Sequence, residues 1–192
     1  MAFAARTVET ESFSLKSQSV PSSDVEGTIP DNANDAEAPP RISYDMTLLP
    51  QAVQQIHATL LTAARNGNLA ALTAIIVANG KIPVVAFEEV EDPVLYLREL
   101  SGDEEGQEIL AIMLEVLEAG YAQIDAGTDA EIYVWPYFAN IRIDTLTPQQ
   151  RVELFTLVTA GDYEDMKVFG AYNFFRLGIS PDGVWQFFLA GD

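Results

Sequence analysis

The fold is decided by residues 172–189, which read YNFFRLGISPDGVWQFFL. The central SPDG is typical of a tight turn, because proline fixes one backbone dihedral and glycine accepts a positive φ. Strand-forming residues, several of them aromatic, flank the turn on both sides. The pattern predicts a C-terminal β-hairpin, Tyr172–Ile179 with Val184–Leu189, that is covered on both faces.

Upstream of this hairpin, apolar spacing and capping residues mostly predict helices. A long apolar stripe of helical period begins at Val53, and Gly67 ends that helix. A second helix runs to Asn79, so the two make a helical hairpin. Residues Glu104–Ala119 are apolar almost all round, which predicts a buried central helix.

The same signals predict five further elements: helices over 93–100, from 148 onward and over 162–169 with Asp162 as the cap, a strand or extended link over 82–87, and a strand over 131–135. Helices therefore come first and most strands later. This order predicts an α+β fold, with an N-terminal helical hairpin and a buried central helix packed with a small antiparallel sheet that ends in the C-terminal hairpin.

The composition divides the chain near residue 46. Residues 1–45 are rich in Ser, Thr, Pro, Asn and Asp and have no helical period. Such a segment buries too little apolar surface to offset the entropy of ordering it. We predict a disordered, polar and acidic tail over 1–45 and a single compact domain over 46–192. The alternative for the end of the tail is a strand at Arg41–Tyr44.

The first five residues, MAFAA, contain the small-x-small pattern that precedes a signal-peptidase cut. We interpret them as the stub of a signal peptide, with an ordinary small-residue N-terminus as the alternative. An exported, periplasmic protein is therefore expected, and a cytoplasmic one stays open.

The charge of the chain bounds its partners. Its 192 residues carry 29 acidic and 10 basic side chains, which give a net charge of −19, and no cysteine. The missing thiols exclude disulfides and thiolate metal sites. The acidity argues against nucleic-acid binding, because phosphates are repelled. No apolar run reaches the length of a membrane span.

Few residues are suited to catalysis. His57 is the only histidine and lies on the apolar stripe, which predicts a core residue and leaves no set for a His-rich zinc site. Neither a phosphate loop nor a dinucleotide fingerprint is present. We predict no cofactor and no metal, and the balance is against an enzyme.

An acidic stretch is the strongest compositional anomaly, with eleven acids from Glu88 to Glu118 against Arg98 alone. The candidate binding residues in it are Glu88, Glu89, Glu91, Asp92, Asp103, Glu104 and Glu105. The functional interpretation is a surface that attracts a basic protein or an envelope polymer. The alternative for the last three is structural, because a helix N-terminus favours negative charge.

An aromatic cluster gives a second candidate site, at Tyr133, Trp135 and Tyr137. These residues would share one face if the strand continued past Pro136. Exposed, they would form a ladder for stacking on a ligand or partner. The alternative is a core cluster packed on the central helix.

Three segments carry a resemblance to known sequences: DEEGQEILA at 103–111, YVWPYFA at 133–139 and PDGVWQFFLAGD at 181–192. Together they resemble an uncharacterised family of small exported Gram-negative bacterial proteins. The resemblance covers about residues 50–192 and implies export. It brings no catalytic residues.

Two function hypotheses follow. The first is a non-enzymatic envelope protein that acts as a binding module. The second is a small hydrolase or isomerase with an apolar pocket, a carboxylate general base, and Tyr133 or Tyr137 as a donor. A pocket holding a desolvated acid would favour the enzyme, and an acidic face over a filled interior would favour the binding module.

Overall fold

The computed structural model describes residues 39–191. Within this range the helices are α1 Gln51–Arg65, α2 Ala71–Asn79, α3 Pro93–Leu100, α4 Gln107–Glu118, α5 Pro148–Leu157 and α6 Ala160–Phe169. The strands are β1 Arg41–Ser43, β2 Tyr121–Ile124, β3 Ile132–Trp135, β4 Phe175–Ile179 and β5 Trp185–Ala190. Three short 3-10 helices lie at Met46–Leu48, Tyr137–Asn140 and Ile143–Thr145. The predicted α+β class is confirmed.

The five strands form one sheet in the order β1-β2-β3-β4-β5, and every neighbouring pair is antiparallel. The predicted C-terminal hairpin is confirmed as β4 and β5, with Phe175 opposite Ala190, and β4 begins three residues later than predicted. Gly183 in its turn has a φ of 84°, and a Cβ there would lie 2.8 Å from the Cβ of Ala52 in α1. The turn therefore requires glycine for both its conformation and its contact with α1.

The sheet begins before the predicted domain boundary at residue 46. Arg41 pairs with Gln123 and Ser43 pairs with Tyr121, so the strand given as the alternative is the one that the structure has. Its partner β2 was not predicted, because four residues after a helix end are too few to establish a period. The predicted tail over 1–38 and signal-peptide stub over 1–5 lie outside the described residues.

Capping geometry sets the ends of the helices. Helix α3 has the predicted start, and the Asp92 carboxylate accepts hydrogen bonds from the first turn. Helix α4 starts three residues later than predicted, because Gly106 has a left-handed φ of 78°. The prediction that Asp162 caps α6 was wrong: Thr159 is the N-cap, and Asp162 closes a capping box from the third helical position.

The core lies between the helices and one face of the sheet. Helix α4 contacts α1, α3, α5 and β4, and its apolar side is buried, as predicted for the central helix. Trp135 and Trp185 are fully buried in the same core. The domain interior is therefore filled by large side chains.

The link over 82–87 is extended and lies along the free edge of β5. The Val84 N–H donates to the Gln186 carbonyl at 2.9 Å, and the Val84 carbonyl accepts from the Phe188 N–H at 2.9 Å. This single parallel bridge fixes the chain just before Phe87 and Glu88. It thereby brings the start of the acidic stretch to the side of α3 and α4.

Candidate binding cleft

A half-open cleft of about 360 Å³ lies where the 85–88 segment meets α3, α4 and the strands β4 and β5. Its floor includes buried apolar residues of the main core, among them Val85, Ile109 and Phe175. Phe87 and Leu100 border it and are 67% and 47% exposed. We refer to this cavity as the α3–α4 cleft.

Four polar side chains also line the α3–α4 cleft: Glu88, Tyr96, Ser101 and Glu108. The Ser101 hydroxyl donates to Asp103 at 2.6 Å and accepts from the Ile109 N–H at 3.2 Å, so it is already occupied. One oxygen of Glu108, Oε2, accepts the Gly102 N–H at 2.5 Å. Glu88 is exposed and takes part in no hydrogen bond within residues 39–191.

The predicted acidic residues lie at the two ends of α3. Glu88, Glu89, Glu91 and Asp92 precede the helix, and Asp103, Glu104 and Glu105 follow it. Asp92 and Glu105 line a second cleft of about 440 Å³ beside Arg98, and Asp92 also lines a third, of about 500 Å³, with Glu91. Concave, partly apolar surface therefore surrounds α3, with carboxylates along its borders.

Two of the predicted acids have structural roles. The Asp92 carboxylate accepts the Val94 and Leu95 N–H groups, both at 3.0 Å, and so caps α3. The Asp103 carboxylate accepts the Glu108 N–H at 2.8 Å and the Gln107 N–H at 2.9 Å at the start of α4. The bonds to Glu108, Ser101 and Gln107 hold the pKa of Asp103 well below its usual range. Asp103 therefore has the structural role at a helix N-terminus that was given as the alternative, and Asp92 is the cap of α3.

The remaining candidate acids are Glu88, Glu89, Glu91, Glu104 and Glu105, and we call this set the acidic face. All five are exposed. The ion pairs of the described part of the chain join Arg65 to Glu118, Arg142 to Asp144 and Lys167 to Glu164. None of them involves the acidic face, so its carboxylates form no ion pair within residues 39–191.

The predicted aromatic ladder is wrong as an exposed surface. Tyr133, Trp135 and Tyr137 are 5%, 0% and 1% exposed, so the core alternative is correct. The reason is topological: β3 is the middle strand of the sheet, and after Pro136 the chain leaves it for a 3-10 helix. Trp135 instead packs against His57, with the ring centroids 5.2 Å apart.

The two tyrosine hydroxyls proposed as donors are committed elsewhere. The Tyr133 hydroxyl donates to Glu131 at 2.7 Å, and the Tyr137 hydroxyl donates to Glu153 at 3.0 Å. Burial is the main cause that raises the pKa of both tyrosines, so both stay protonated. Neither lines the α3–α4 cleft. The donor and the cleft carboxylate of the enzyme hypothesis are therefore not brought together.

Several residues of the cleft were not predicted: Phe87, Tyr96, Leu100 and Glu108. Each lies at an unremarkable place in the sequence, and no spacing pattern relates them. Glu108 alone carried a signal, as one of the eleven acids.

Comparison with known proteins adds no assignment: no family model, no curated protein and no solved structure matches the chain. Among residues 39–191, no three histidine, aspartate or glutamate side chains group as a metal site. No helix in that range is both long enough and apolar enough to cross a membrane. The fold and cleft define an acidic α+β protein with an apolar, carboxylate-bordered concavity.

Proposed function

We propose that this protein is a non-enzymatic binding module of the bacterial envelope that binds a basic segment of a partner protein through the acidic face. One observation carries the proposal: an apolar cleft is bordered by carboxylates that have no cationic partner in the described chain. Such a surface is complementary to a segment that carries both apolar and cationic side chains.

Electrostatic attraction allows the acidic face to act on a basic partner before the two are in contact. A pair of unit charges 4 Å apart interacts by ~1 kcal/mol in water, and salt screens the interaction over about 10 Å at ordinary ionic strength. One exposed carboxylate therefore contributes little. The five carboxylates at the two ends of α3 together produce a field that raises the association rate of a basic partner.

The state of the polar groups in the cleft supports binding over catalysis. Ser101 and one oxygen of Glu108 are held by backbone and capping contacts. Tyr96 lines the cleft with Glu88 and Glu108, but both carboxylates are exposed to solvent. Neither is the desolvated acid that the hydrolase or isomerase hypothesis requires as its general base. The envelope location rests on the resemblance of the three segments to exported proteins.

The test is capture from an envelope extract with the full chain as bait, washed at low and at high salt. The face variant E88Q/E89Q/E104Q removes three charges from residues without a hydrogen bond in the described range. The control E115Q/D129N/D165N removes the same number of charges from exposed positions elsewhere. We expect the wild type and the control to retain one stoichiometric basic protein at low salt, and the face variant to lose it.

Two results would contradict the proposal. One is a partner that the face variant retains as well as the control does. The other is a partner whose retention is the same at both salt concentrations, because an interaction driven by exposed charge must weaken as screening increases.

A further inference from the structure

The α3–α4 cleft is suited to bind one side chain of a partner. We infer that it takes a single large apolar side chain, aromatic or long aliphatic, from a partner segment whose neighbouring residues are arginine or lysine. The inference rests on the proposed function and names the chemistry of the segment that the acidic face attracts.

The volume of the cleft is suited to one large side chain of a partner segment. Sites for whole small molecules usually span about 300–1,000 Å³. The α3–α4 cleft, at about 360 Å³, is at the lower end of that range. It accommodates one bulky side chain and part of its backbone. Phe87 and Leu100 stand exposed at its border and would be covered by the same segment.

The floor of the cleft selects for an apolar group. It includes Val85, Ile109 and Phe175, which belong to the main core. The hydroxyl of Ser101 is already bonded on both sides. A polar side chain placed against this apolar floor would lose hydrogen bonds to water that the floor residues cannot replace, which is costly. A large apolar side chain gains from burial, and such residues dominate binding at protein interfaces.

The walls of the cleft select for cationic neighbours. Within residues 39–191 Glu88 has no hydrogen-bond or ion-pair partner, and Glu108 uses only Oε2, for the Gly102 N–H, which leaves Oε1 to accept a bond from a cation. Arginine and lysine on either side of the apolar anchor can therefore meet a carboxylate. An acidic segment would be repelled by these groups and by the acidic face.

The test uses fluorescence anisotropy with the full chain and three labelled peptides: GRRFRRG, GRRARRG and GQQFQQG. We expect GRRFRRG to bind most tightly at low salt. Loss of the phenyl group should weaken binding about tenfold or more, given the free energy of burying an aromatic side chain. Loss of the four arginines should weaken it at least as much and remove the salt dependence.

Two variants test whether the apolar side chain of the peptide binds in the α3–α4 cleft. A190F places a large side chain at the cleft and should weaken GRRFRRG about tenfold, whereas A126F, on an exposed turn, should not. F87S removes a 67% exposed border residue, so folding is unaffected even if A190F unfolds the chain. It should weaken GRRFRRG several-fold and leave GRRARRG unchanged.

The outcomes separate this inference from the proposed function. If GRRARRG binds as tightly as GRRFRRG with the same salt dependence, the inference of an apolar binding site is wrong, and the proposal that the acidic face binds a basic segment is retained. If F87S and folded A190F bind GRRFRRG as the wild type does, the phenyl group does not bind in the α3–α4 cleft and the inference is wrong. If neither arginine peptide binds at low salt, both the inferred binding site for the apolar side chain and the proposed binding of a basic partner are wrong.

Discussion

His57 is held in the core between α1, α4 and β3. It is 6% exposed, and its Nε2 lies 2.9 Å from the Leu117 carbonyl oxygen. Burial is the main cause that lowers the pKa of His57, the nearby positive charge of Arg65 lowers it further, and the hydrogen bond to Leu117 opposes both. The ring is therefore a neutral hydrogen-bonding core residue and is placed away from the α3–α4 cleft.

This burial predicts a pH-dependent stability. In the unfolded chain the pKa of His57 is about 6.5. Above that pH the ring is neutral in both states and contributes no pH dependence. As the pH falls below it, the unfolded chain binds a proton that the folded chain resists. The free energy of unfolding then decreases by at most about 1.4 kcal/mol per pH unit.

The measurement compares the wild type with H57Q by urea unfolding at pH 7.5 and pH 5.5. The carboxylates contribute equally to both proteins, so the difference between their pH slopes isolates His57. We expect H57Q to lose less stability on acidification. Equal slopes would show that the ring titrates alike in the folded and unfolded states.

At the scale of elements, one side chain joins α2 to the C-terminal hairpin. Asn79 is the last residue of α2, and its Nδ2 donates to the Lys81 carbonyl at 2.7 Å and the Trp185 carbonyl at 3.0 Å. Its Oδ1 accepts the Trp185 N–H at 2.7 Å. The amide thus acts as a backbone partner at the start of β5 and fixes the hairpin against the helical layer.

Removing this amide should destabilise the fold. We expect N79A to lower the free energy of unfolding by about 2 kcal/mol, because three hydrogen bonds are lost and the Trp185 backbone is left unpaired. N66A is the matched control, since the Asn66 side chain is exposed and makes no hydrogen bond within the described chain, and should change stability by less than about 0.5 kcal/mol. Urea unfolding measures both, and equal effects would contradict the role of Asn79.

At the scale of the whole molecule, the two outer strands of the sheet differ. The link at Val84 lies along β5, whereas β1 is itself the outer strand on the other side and pairs with β2. The chain after β1 is held by the Tyr44 hydroxyl, which donates to Glu153 at 2.7 Å, and by the Tyr121 hydroxyl, which donates to the Asp45 carbonyl at 3.0 Å. The stretch from Arg41 to Leu49 therefore completes the domain.

This arrangement predicts that residue 46 is the wrong place to begin the domain. A chain that starts at 46 should be less stable by about 2 kcal/mol than one that starts at 39, because it loses the β1–β2 hydrogen bonds and the Tyr44–Glu153 bond. It should also self-associate more, since the edge of β2 is uncovered. Urea unfolding and light scattering of the two chains measure this, and equal results would show that β1 does not stabilise the domain.

The sequence by itself determined the structural features that depend on residues close together along the chain. Capping residues, apolar stripes and the SPDG turn act within about one helical turn or one hairpin, so the helices, the hairpin and the α+β class could be predicted. The density of acidic residues around α3 was also visible, because charge is a property of composition.

Only the tertiary structure decided which of these residues meet. Glu88 and Glu108 line one cleft although twenty positions separate them, and Tyr44 bonds Glu153 across 109 positions. The burial of Tyr133, Trp135 and Tyr137 depends on β3 being the middle strand, which no local pattern specifies. Contacts of this kind arise from the packing of distant segments, and packing free energy depends on the shape of the whole core and leaves no periodic mark in the sequence.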